Sequence, residues 1–236
     1  MNRTTILIPT YNEAGNIDPL VRRVFEFVPD AHVVVIDDNS PDKTADVVRK
    51  MTDADPRVSL LFRVRKEGLG KAYLQGFAEA LKDSSNDLII MMDADFSHDP
   101  SYIPEMRRAA IQADVVIGSR YCRGGGTQGW KAWRKFLSGF ANRYCRAITG
   151  MPIHDATAGF ILIRADALRK ANIATFDASG YAFLMELKYR LWRSDARFAE
   201  VPIIFKERRE GISKMSKRII LEGVVAPWKL RFGKKL

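Results

Sequence analysis

Two aspartates at positions 93 and 95 directly follow the apolar run 88–92, and their type and spacing suit metal binding. In an extended chain, the side chains of residues i and i+2 point the same way, so both carboxylates can address one cation directly or through water. Hard carboxylate oxygens suit Mg²⁺ or Mn²⁺. An isolated Asp-x-Asp is more often a solvated turn, because aspartate is common after strands. Here the neighbouring acidic segments favour the metal site.

Two further polar segments follow other apolar runs. The segment 37–42, Asp-Asp-Asn-Ser-Pro-Asp, contains a helix cap at Asp42 or Thr44. It also places Asp38 where an acid can accept hydrogen bonds from a nucleotide base or ribose, and we favour that role alongside the cap. The segment 9–13, Pro-Thr-Tyr-Asn-Glu, sets an aromatic ring beside a carboxylate. That pairing suits base stacking and hydrogen bonding, and it equally suits a loop that begins a helix.

The elements that must position these side chains are predicted from hydrophobic periodicity. Apolar runs predict strands at 5–8, 33–36, 59–64, 88–92, 115–117, 160–163 and 201–205. Helical patterns lie between the early strands, at 16–27, 44–51 and 69–82. This alternation predicts an α/β fold, a mostly parallel central sheet flanked by helices. Ligands bind beyond the carboxyl ends of such strands, so the three acidic segments should converge on one crevice.

Length and composition favour one large cytoplasmic domain. At 236 residues, with 47% hydrophobic and 28% charged residues, the chain is expected to fold without a second core. It contains no long apolar leader and no run of about 18 apolar residues, so we expect only peripheral membrane contact. Cys122 and Cys145 lack metal-ligand spacing and are expected to be reduced thiols. The glycine run at 124–126 predicts a mobile loop.

The net charge of +10 is concentrated in two segments. Residues 118–149 contain seven Lys/Arg and no acid, and residues 203–236 contain ten Lys/Arg and three Glu. Two cationic segments on a mildly acidic body suit an anionic substrate at a charged surface, either nucleic acid or anionic lipid. A charge run is usually a solvated face, but Arg120 follows the strand at 115–117 and should face the crevice. Around Arg134, tryptophans and cations alternate as at lipid headgroups, although a packed amphipathic helix would look similar.

Taken in order, the motifs resemble the inverting GT-A glycosyltransferases of family 2, and more narrowly the dolichol- or polyprenol-phosphate mannose synthases. They occur at 9–13, 37–42, 68–72, 92–98 and 118–121, and the resemblance continues through 130–138, 155–160, 180–181 and 208–214. Each motif is weak alone, and the order makes the set specific. The resemblance implies a GT-A catalytic domain at 1–214, followed by a basic amphipathic segment at 215–236.

The resemblance also implies a reaction and the residues that perform it. Mannose would pass from GDP-mannose to a polyprenyl phosphate with inversion, with Mg²⁺ or Mn²⁺ as cofactor. The implied guanosine contacts are Pro9, Tyr11, Glu13, Ile36 and Asp38. The residues implied around the metal and diphosphate are Asp93, Ala94 and Asp95. Ser97 would lie near the metal, at a position where some relatives have glutamine. Arg208 and Lys214 would close over the diphosphate. The implied acceptor-phosphate residues are Arg120 and Arg134, assisted by Ser138, and the catalytic set is Asp95, Arg120 and Arg134.

The segment 215–236 mixes apolar and basic residues. It predicts an interfacial helix interrupted before Pro227, or equally a helix docked on its own domain. Many relatives carry C-terminal membrane spans that this sequence lacks, so we expect binding at the membrane surface, alone or through a membrane-anchoring partner.

Three other functions compete with this interpretation. A polyprenyl-phosphate transferase that uses a UDP-sugar would need a similar site. A dinucleotide-dependent dehydrogenase is disfavoured because no Gly-x-Gly-x-x-Gly follows the first strand. A nucleic-acid-binding module would leave the clustered acids unexplained, since carboxylates repel a phosphate track. The expected partners are therefore a nucleotide sugar, a lipid phosphate and a membrane surface, and not nucleic acid.

Overall fold

The computed structural model describes residues 3–172, 180–207 and 217–233. The strands in these ranges are β1 (Arg3–Thr10), β2 (His32–Asp37), β3 (Val58–Phe62), β4 (Asn86–Met91), β5 (Val115–Ser119), β6 (Gly126–Gln128), β7 (Ile161–Arg164), β8 (Phe198–Pro202) and β9 (Ile204–Lys206). The helices are α1 (Ile17–Phe27), α2 (Thr44–Ala54), α3 (Leu69–Ala80), α4 (Ile103–Ala109), α5 (Ala132–Thr149), α6 (Ala165–Lys170), α7 (Gly180–Arg193) and α8 (Lys217–Phe232).

Seven of these strands form one sheet in the order β3-β2-β1-β4-β7-β5-β8. The pairs among β1, β2, β3 and β4 are parallel, and β8 is parallel to β5. Strand β7 is antiparallel to both of its neighbours, β4 and β5. All strands of the sheet except β7 therefore run in one direction. The predicted mostly parallel sheet flanked by helices is confirmed.

Side chains of the central strands alternate between two hydrophobic clusters, one on each face of the sheet. In β1, Leu7 belongs to one cluster, and Ile6 and Ile8 belong to the other. All three side chains are fully buried. The first cluster includes residues of α3, α6 and α7, and the second includes residues of α1 and α4. Because helices cover both faces, the central strands are apolar throughout, which is why they were recognisable as short apolar runs.

One sequence-based prediction near the edge of this sheet is wrong. The strand predicted at 201–205 is divided, because β8 ends at Pro202 and β9 leaves the large sheet to pair in parallel with β6. Between them, Ile203 donates its backbone N–H to the carbonyl of Ser119. The glycine run at 124–126 forms the turn that leads into β6, and Gly124 takes up a φ of +91° that favours glycine; the mobility predicted for this loop stays a prediction.

Helix α8 packs against α5 and α7. The Tyr144 hydroxyl of α5 donates to the carbonyl of Val224 and accepts from the indole N–H of Trp228. The predicted interruption before Pro227 is wrong, because Pro227 lies inside the helix, which continues to Phe232. The boundary expected near residue 214 lies outside the described residues. No helix in the described ranges is long and apolar enough to cross a membrane.

Candidate active site

The predicted polar segments lie side by side at one edge of the sheet. The carboxyl ends of β2, β1, β4 and β5 meet there, together with the start of β7 between β4 and β5. Neighbouring strands are about 4.8 Å apart, so the ends of β2 and β5 each lie roughly 10 Å from the end of β4. The order of the strands changes direction between β1 and β4, the position where open α/β sheets bind ligands.

Asp37 and Asp38 are adjacent in sequence but have different partners. The buried carboxylate of Asp37 accepts hydrogen bonds from the Thr10 hydroxyl at 2.9 Å and from the N–H and hydroxyl of Ser40 at 3.0 and 2.6 Å, so it closes the turn after β2. Asp38 forms a buried ion pair with Arg63, which lies just beyond β3. Burial raises the pKa of Asp38, although the positive charge of Arg63 opposes the shift.

The loops after β1 and β2 are tied together by side chains at the start of α2. The carboxylate of Asp42 accepts from the N–H and hydroxyl of Thr44 and from the N–H of Ala14. The hydroxyl of Thr44 in turn accepts from the N–H of Glu13 at 3.0 Å. The N-cap predicted at Asp42 or Thr44 is wrong, because Lys43 occupies that position without a side-chain cap hydrogen bond. Asp42 instead accepts the N–H of Thr44, the first residue of α2, and Asp38 takes no part in this turn.

The residues predicted to contact guanosine differ in how far their side chains are exposed. Tyr11 is partly exposed, and the Nζ of Lys66 lies 3.2 Å from its ring centroid, a cation–π contact. Pro9 and Glu13 are half-buried at the same edge. The side chain of Ile36 is fully buried in the core, so this residue can reach a ligand only through its backbone.

The Asp-Ala-Asp motif lies in a bend just beyond β4. Asp95 is buried, and its Oδ1 accepts the N–H of Ser97 at 3.1 Å and the hydroxyl of Ser97 at 2.6 Å. Asp93 is more exposed, and its backbone N–H donates to Nδ1 of His98 at 3.0 Å. Ser97 and His98 thus hold the two aspartates in place. Ala94, between them, is buried.

Asp93 and Asp95 fit a Mg²⁺ or Mn²⁺ ion that also binds a diphosphate. Mg²⁺ is usually held by one or two carboxylates together with substrate phosphates, and not by an all-protein cage. Across residues 3–172, 180–207 and 217–233, no group of three or more His, Cys, Asp or Glu is placed to hold a metal. Substrate phosphate and water would then supply further ligands. Ser97 was predicted to lie near the metal, and the structure places its hydroxyl against Asp95.

The hydroxyl of Tyr73 in α3 is affected by the negative charges of the Asp-Ala-Asp motif. Its side chain is fully buried, and its hydroxyl has no hydrogen-bond partner among the described residues. Burial raises the pKa of Tyr73 well above 10, and the negative charges of Asp93 and Asp95 add to that shift. The phenol therefore stays protonated. Helical periodicity alone identifies Tyr73 only as a core residue.

Arg120, the first residue after β5, is held by Asp155. Its backbone N–H and Nε donate to Oδ2 of Asp155 at 3.0 and 2.8 Å, and its Nη2 donates to Oδ1 at 2.7 Å. Nη2 also donates to the hydroxyl of Thr157 at 2.8 Å. Burial opposes ionisation of Asp155, but the charge and hydrogen bonds of Arg120 outweigh it and lower the pKa of this carboxyl. Arg120 therefore lies at the crevice edge with an oriented guanidinium.

Arg134 lies in the first turn of α5 and donates to Glu207 at 2.9 Å. Its guanidinium carbon is 4.1 Å from the ring centroid of Trp130, and that of Arg120 is 5.5 Å from the same ring. One buried indole therefore connects the two arginines predicted to receive the acceptor phosphate. Its N–H has no hydrogen-bond partner within the described part of the chain. Ser138 is half-buried four residues after Arg134, on the same face of α5.

Sequence reasoning missed the partners of the predicted residues. Arg63 pairs with Asp38 across 25 residues, and Asp155 with Arg120 across 35. The Asp155 segment was recognised as a motif, but nothing in its local pattern identified Arg120 as its partner. Arg208 and Lys214, predicted to close over the diphosphate, lie outside the described residues.

Comparisons with known proteins identify a matching family and similar relatives. The sequence profile of Glycosyl transferase family 2 matches residues 5–171. The chain is 41% identical over 233 residues to polyprenol monophosphomannose synthase of Mycolicibacterium smegmatis, covering 97% of this chain and 88% of that protein. It is 40% identical over 223 residues to undecaprenyl-phosphate mannosyltransferase of Micrococcus luteus, covering 94% of this chain and 91% of that protein.

A solved structure is similar in fold. Glucosyl-3-phosphoglycerate synthase from Mycobacterium tuberculosis, in complex with Mn²⁺, UDP-glucose and phosphoglyceric acid, has a TM-score of 0.71 and 16% identity, covering 100% of this chain and 81% of that one. At this identity the likeness concerns the fold, which is of the GT-A type. Because the family profile matches most of the sequence and the relatives near 40% identity match almost all of it, the chain belongs to glycosyl transferase family 2 and is a glycosyltransferase.

Proposed function

We propose that this enzyme transfers mannose from GDP-mannose to a polyprenyl phosphate, with inversion, to give a polyprenyl-phosphate β-mannose. The names of the relatives from M. smegmatis and M. luteus support this acceptor and this sugar. The observation that carries the proposal is the placement of Arg120 two strands away from Asp93 and Asp95 along one sheet edge, with Arg134 of α5 against the same Trp130 ring as Arg120. An acidic site beside a cationic site suits a reaction between two anions, one of which binds through a metal.

The nucleotide would lie along the ends of β2 and β1. Tyr11 is exposed enough to stack on a base, and the Asp38 carboxylate can accept hydrogen bonds from a base or ribose. The positive charge of Arg63 opposes the rise in the pKa of Asp38 that burial causes, and Arg63 also lines an open cleft of about 410 Å³ beyond β3. Pro9 and Glu13 complete this side of the site, and Ile36 contributes backbone atoms only.

Asp93 and Asp95 would hold the Mg²⁺ or Mn²⁺ ion. When bound, that ion supplies positive charge to the diphosphate leaving group. Ser97 and His98 keep the motif in its conformation through the hydrogen bonds described above. His98 Nδ1 accepts a backbone N–H, so this side of the ring is committed to holding the loop.

The acceptor needs no general base. A phosphate monoester has a second pKa of about 6, so it is largely dianionic at neutral pH. One phosphate oxygen attacks the anomeric carbon while the bond from that carbon to the diphosphate oxygen breaks, and GDP leaves with the bonding electrons. No proton is transferred, and attack opposite the leaving group converts an α-linked donor into a β-linked product. Arg120 and Arg134 orient the phosphate through charge-assisted hydrogen bonds, with Ser138 nearby on α5.

An aromatic ridge next to Arg134 supports binding at a membrane surface. The ridge comprises Trp133, Phe136, Phe140, Tyr144, Trp228 and Phe232. Phe140 stacks on Tyr144, which is hydrogen-bonded to Trp228, and Trp228 stacks on Phe232, so the ridge crosses from α5 to α8. All its members except Tyr144 are more than half exposed. Exposed cations flank it on both helices and at the N-cap of α5: Lys131, Lys135, Arg143, Arg146, Lys229 and Arg231.

Aromatic side chains interleaved with cations suit the interface of an anionic bilayer, where rings sit at headgroup depth. Such an orientation would present Arg134 to a phosphate that is attached to a lipid embedded in the same bilayer. Peripheral membrane association is therefore part of the proposal, with or without a membrane-anchoring partner.

One assay tests the reaction. Radiolabelled GDP-mannose is incubated with a short-chain polyprenyl phosphate and Mg²⁺ or Mn²⁺, and the label in the organic phase is counted. We expect transfer by the wild-type enzyme and none by Asp95→Ala, whose thermal unfolding should show that it remains folded. Folded wild-type enzyme that labels no lipid with either metal would overturn the proposal.

A UDP-sugar donor would use the same acceptor site, and nucleotide binding separates the two cases. Ligands that bind only the folded state raise the melting temperature. GDP should protect the enzyme from thermal unfolding more than UDP at equal concentration. Protection by UDP alone would reassign the donor and leave the lipid acceptor intact.

A further inference from the structure

Lys188 lies in α7 and is fully buried, which is rare for lysine. Its Nζ donates to the backbone carbonyls of Ala158 at 2.7 Å, Ala156 at 3.0 Å and Leu184 at 3.3 Å. An ammonium group has three N–H donors, so these acceptors satisfy all of them. Burial lowers the pKa of Lys188 to about 7, and the negative charge of Asp155 opposes that shift.

Two of these acceptors belong to the loop 155–159, which precedes β7. The same loop is tied elsewhere, because Thr157 donates its N–H to Asn142 at 3.2 Å and Asp155 donates its N–H to Glu200 at 3.1 Å. A buried carbonyl without a donor is unfavourable. Lys188 therefore stabilises the path of this loop by donating N–H groups to the carbonyls of residues 156 and 158.

Residues 155 and 157 of the same loop hold Arg120. Asp155 accepts three hydrogen bonds from Arg120, and the hydroxyl of Thr157 accepts a fourth. The carbonyls of residues 156 and 158 thus bind Lys188, while the side chains of residues 155 and 157 bind Arg120. The loop connects a buried ammonium in the core to a guanidinium at the sheet edge.

We infer that Lys188 is a positioning residue, which fixes the loop 155–159 from the core and thereby orients the guanidinium of Arg120 toward the acceptor phosphate. The inference rests on the proposed function, because that is where Arg120 receives the acceptor. The donor side of the site lies at the other end of the sheet edge, beyond β1 and β2. A change at Lys188 should therefore affect the acceptor and spare the nucleotide sugar.

The test variant is Lys188→Met, which keeps an unbranched apolar chain and removes every donor. A displaced positioning group can cost roughly 10- to 100-fold, so the KM for polyprenyl phosphate should rise by that factor while the KM for GDP-mannose stays at the wild-type value. Lys188→Gln retains N–H donors and should recover part of the acceptor KM.

Arg190→Met is the matched control. Arg190 lies one half-turn further along α7 and forms a buried ion pair with Glu186 at 2.6 Å, so its loss also removes a buried cation from this helix. It should lower the melting temperature without changing the ratio of the two KM values. The inference is overturned if Lys188→Met and Arg190→Met lower the melting temperature equally and neither variant changes the ratio of the two KM values. Lys188 would then stabilise the fold and have no part in positioning Arg120.

Two other outcomes are also decisive. Should Lys188→Met not fold, Lys188→Gln is measured in its place, and failure of both to fold while Arg190→Met folds overturns the inference in the same way. Wild-type enzyme that transfers nothing to polyprenyl phosphate overturns the proposed function, and this inference with it, before any variant is made.

Discussion

Replacement of Asp155 by asparagine tests the cationic half of the site. The substitution keeps the shape of a fully buried side chain and removes the charge that faces Arg120, whose side chain is only 9% exposed. Removing one partner of a buried ion pair destabilises by about 3–5 kcal/mol, because the other charge is left uncompensated. Asparagine keeps one acceptor oxygen, so we expect the lower end, about 3 kcal/mol. In a chain of this size that corresponds to a melting temperature lower by roughly 6–12 °C.

Differential scanning calorimetry at neutral pH measures this shift, and the lipid-transfer assay measures the acceptor KM, which should rise as Arg120 loses its orientation. Asp114→Asn is the matched control. Asp114 pairs with Arg197 at 3.0 Å, but the Arg197 side chain is 66% exposed, and such surface pairs contribute about 0–1 kcal/mol. A melting shift in Asp155→Asn no larger than in Asp114→Asn would refute the claim that Asp155 holds Arg120.

The same pair predicts a pH dependence. Arg120 lowers the pKa of Asp155 below its usual value of 3.8, even though burial opposes ionisation. The ionised carboxylate therefore contributes stability above pH 3.8, and this contribution is lost as the pH falls through the lower folded-state value. The difference in unfolding free energy between wild type and Asp155→Asn should narrow only in that acidic range; near neutral pH it should grow as the pH falls, because the charge of Asp155 raises the pKa of Lys188, which is about 7. Denaturant unfolding at a series of pH values measures this difference in unfolding free energy. If the difference already became smaller as the pH fell through neutrality, the pairing of Asp155 with Arg120 would be contradicted.

Three further predictions follow from the site, the glycine turn and the ridge. Wild-type transfer should stop in excess chelator and resume when Mg²⁺ or Mn²⁺ is restored; turnover in chelator would remove the metal from the mechanism. Gly125→Ala would place a Cβ 2.5 Å from the backbone of residues 119–120, so the acceptor KM should rise by about tenfold or more, whereas Gly15→Ala, with open space around its Cβ, should change nothing. Phe136→Ser should weaken sedimentation with anionic vesicles and change stability by no more than about 0.5 kcal/mol, and the equally exposed Ile111→Ser should sediment like wild type.

The local sequence was sufficient to predict the class of fold. Runs such as residues 33–36 and 88–92 are apolar throughout because helices cover both faces of the sheet, so continuous apolarity separated by helical periods identifies buried parallel strands. The same patterns placed the Asp-Ala-Asp motif at a strand end, since chemistry in such folds is concentrated just beyond the strands. Family-level function was also accessible, because the order of several weak motifs along one chain is itself specific.

Partners distant in the sequence could not be predicted in this way. The pairing of Arg120 with Asp155 depends on β7 lying between β4 and β5, and nothing in the residues around either one encodes that order. The division of residues 201–205 has the same origin, because β9 leaves the large sheet only where β6 offers it a new partner. Periodicity describes one element at a time, whereas strand order is a property of the whole core.

Lys188 shows most clearly which contacts could not be predicted from the sequence. In sequence it is one charged residue on a helix, a position at which lysine is normally solvated. Only the folded chain brings the carbonyls of residues 156 and 158 to its Nζ, and those acceptors make its burial tolerable. The sequence by itself determined the strands, the helices and the acidic motif, because each depends on neighbours within a few residues. The tertiary structure alone decided which charges meet, because ion pairs and buried hydrogen bonds depend on distances that only folding sets.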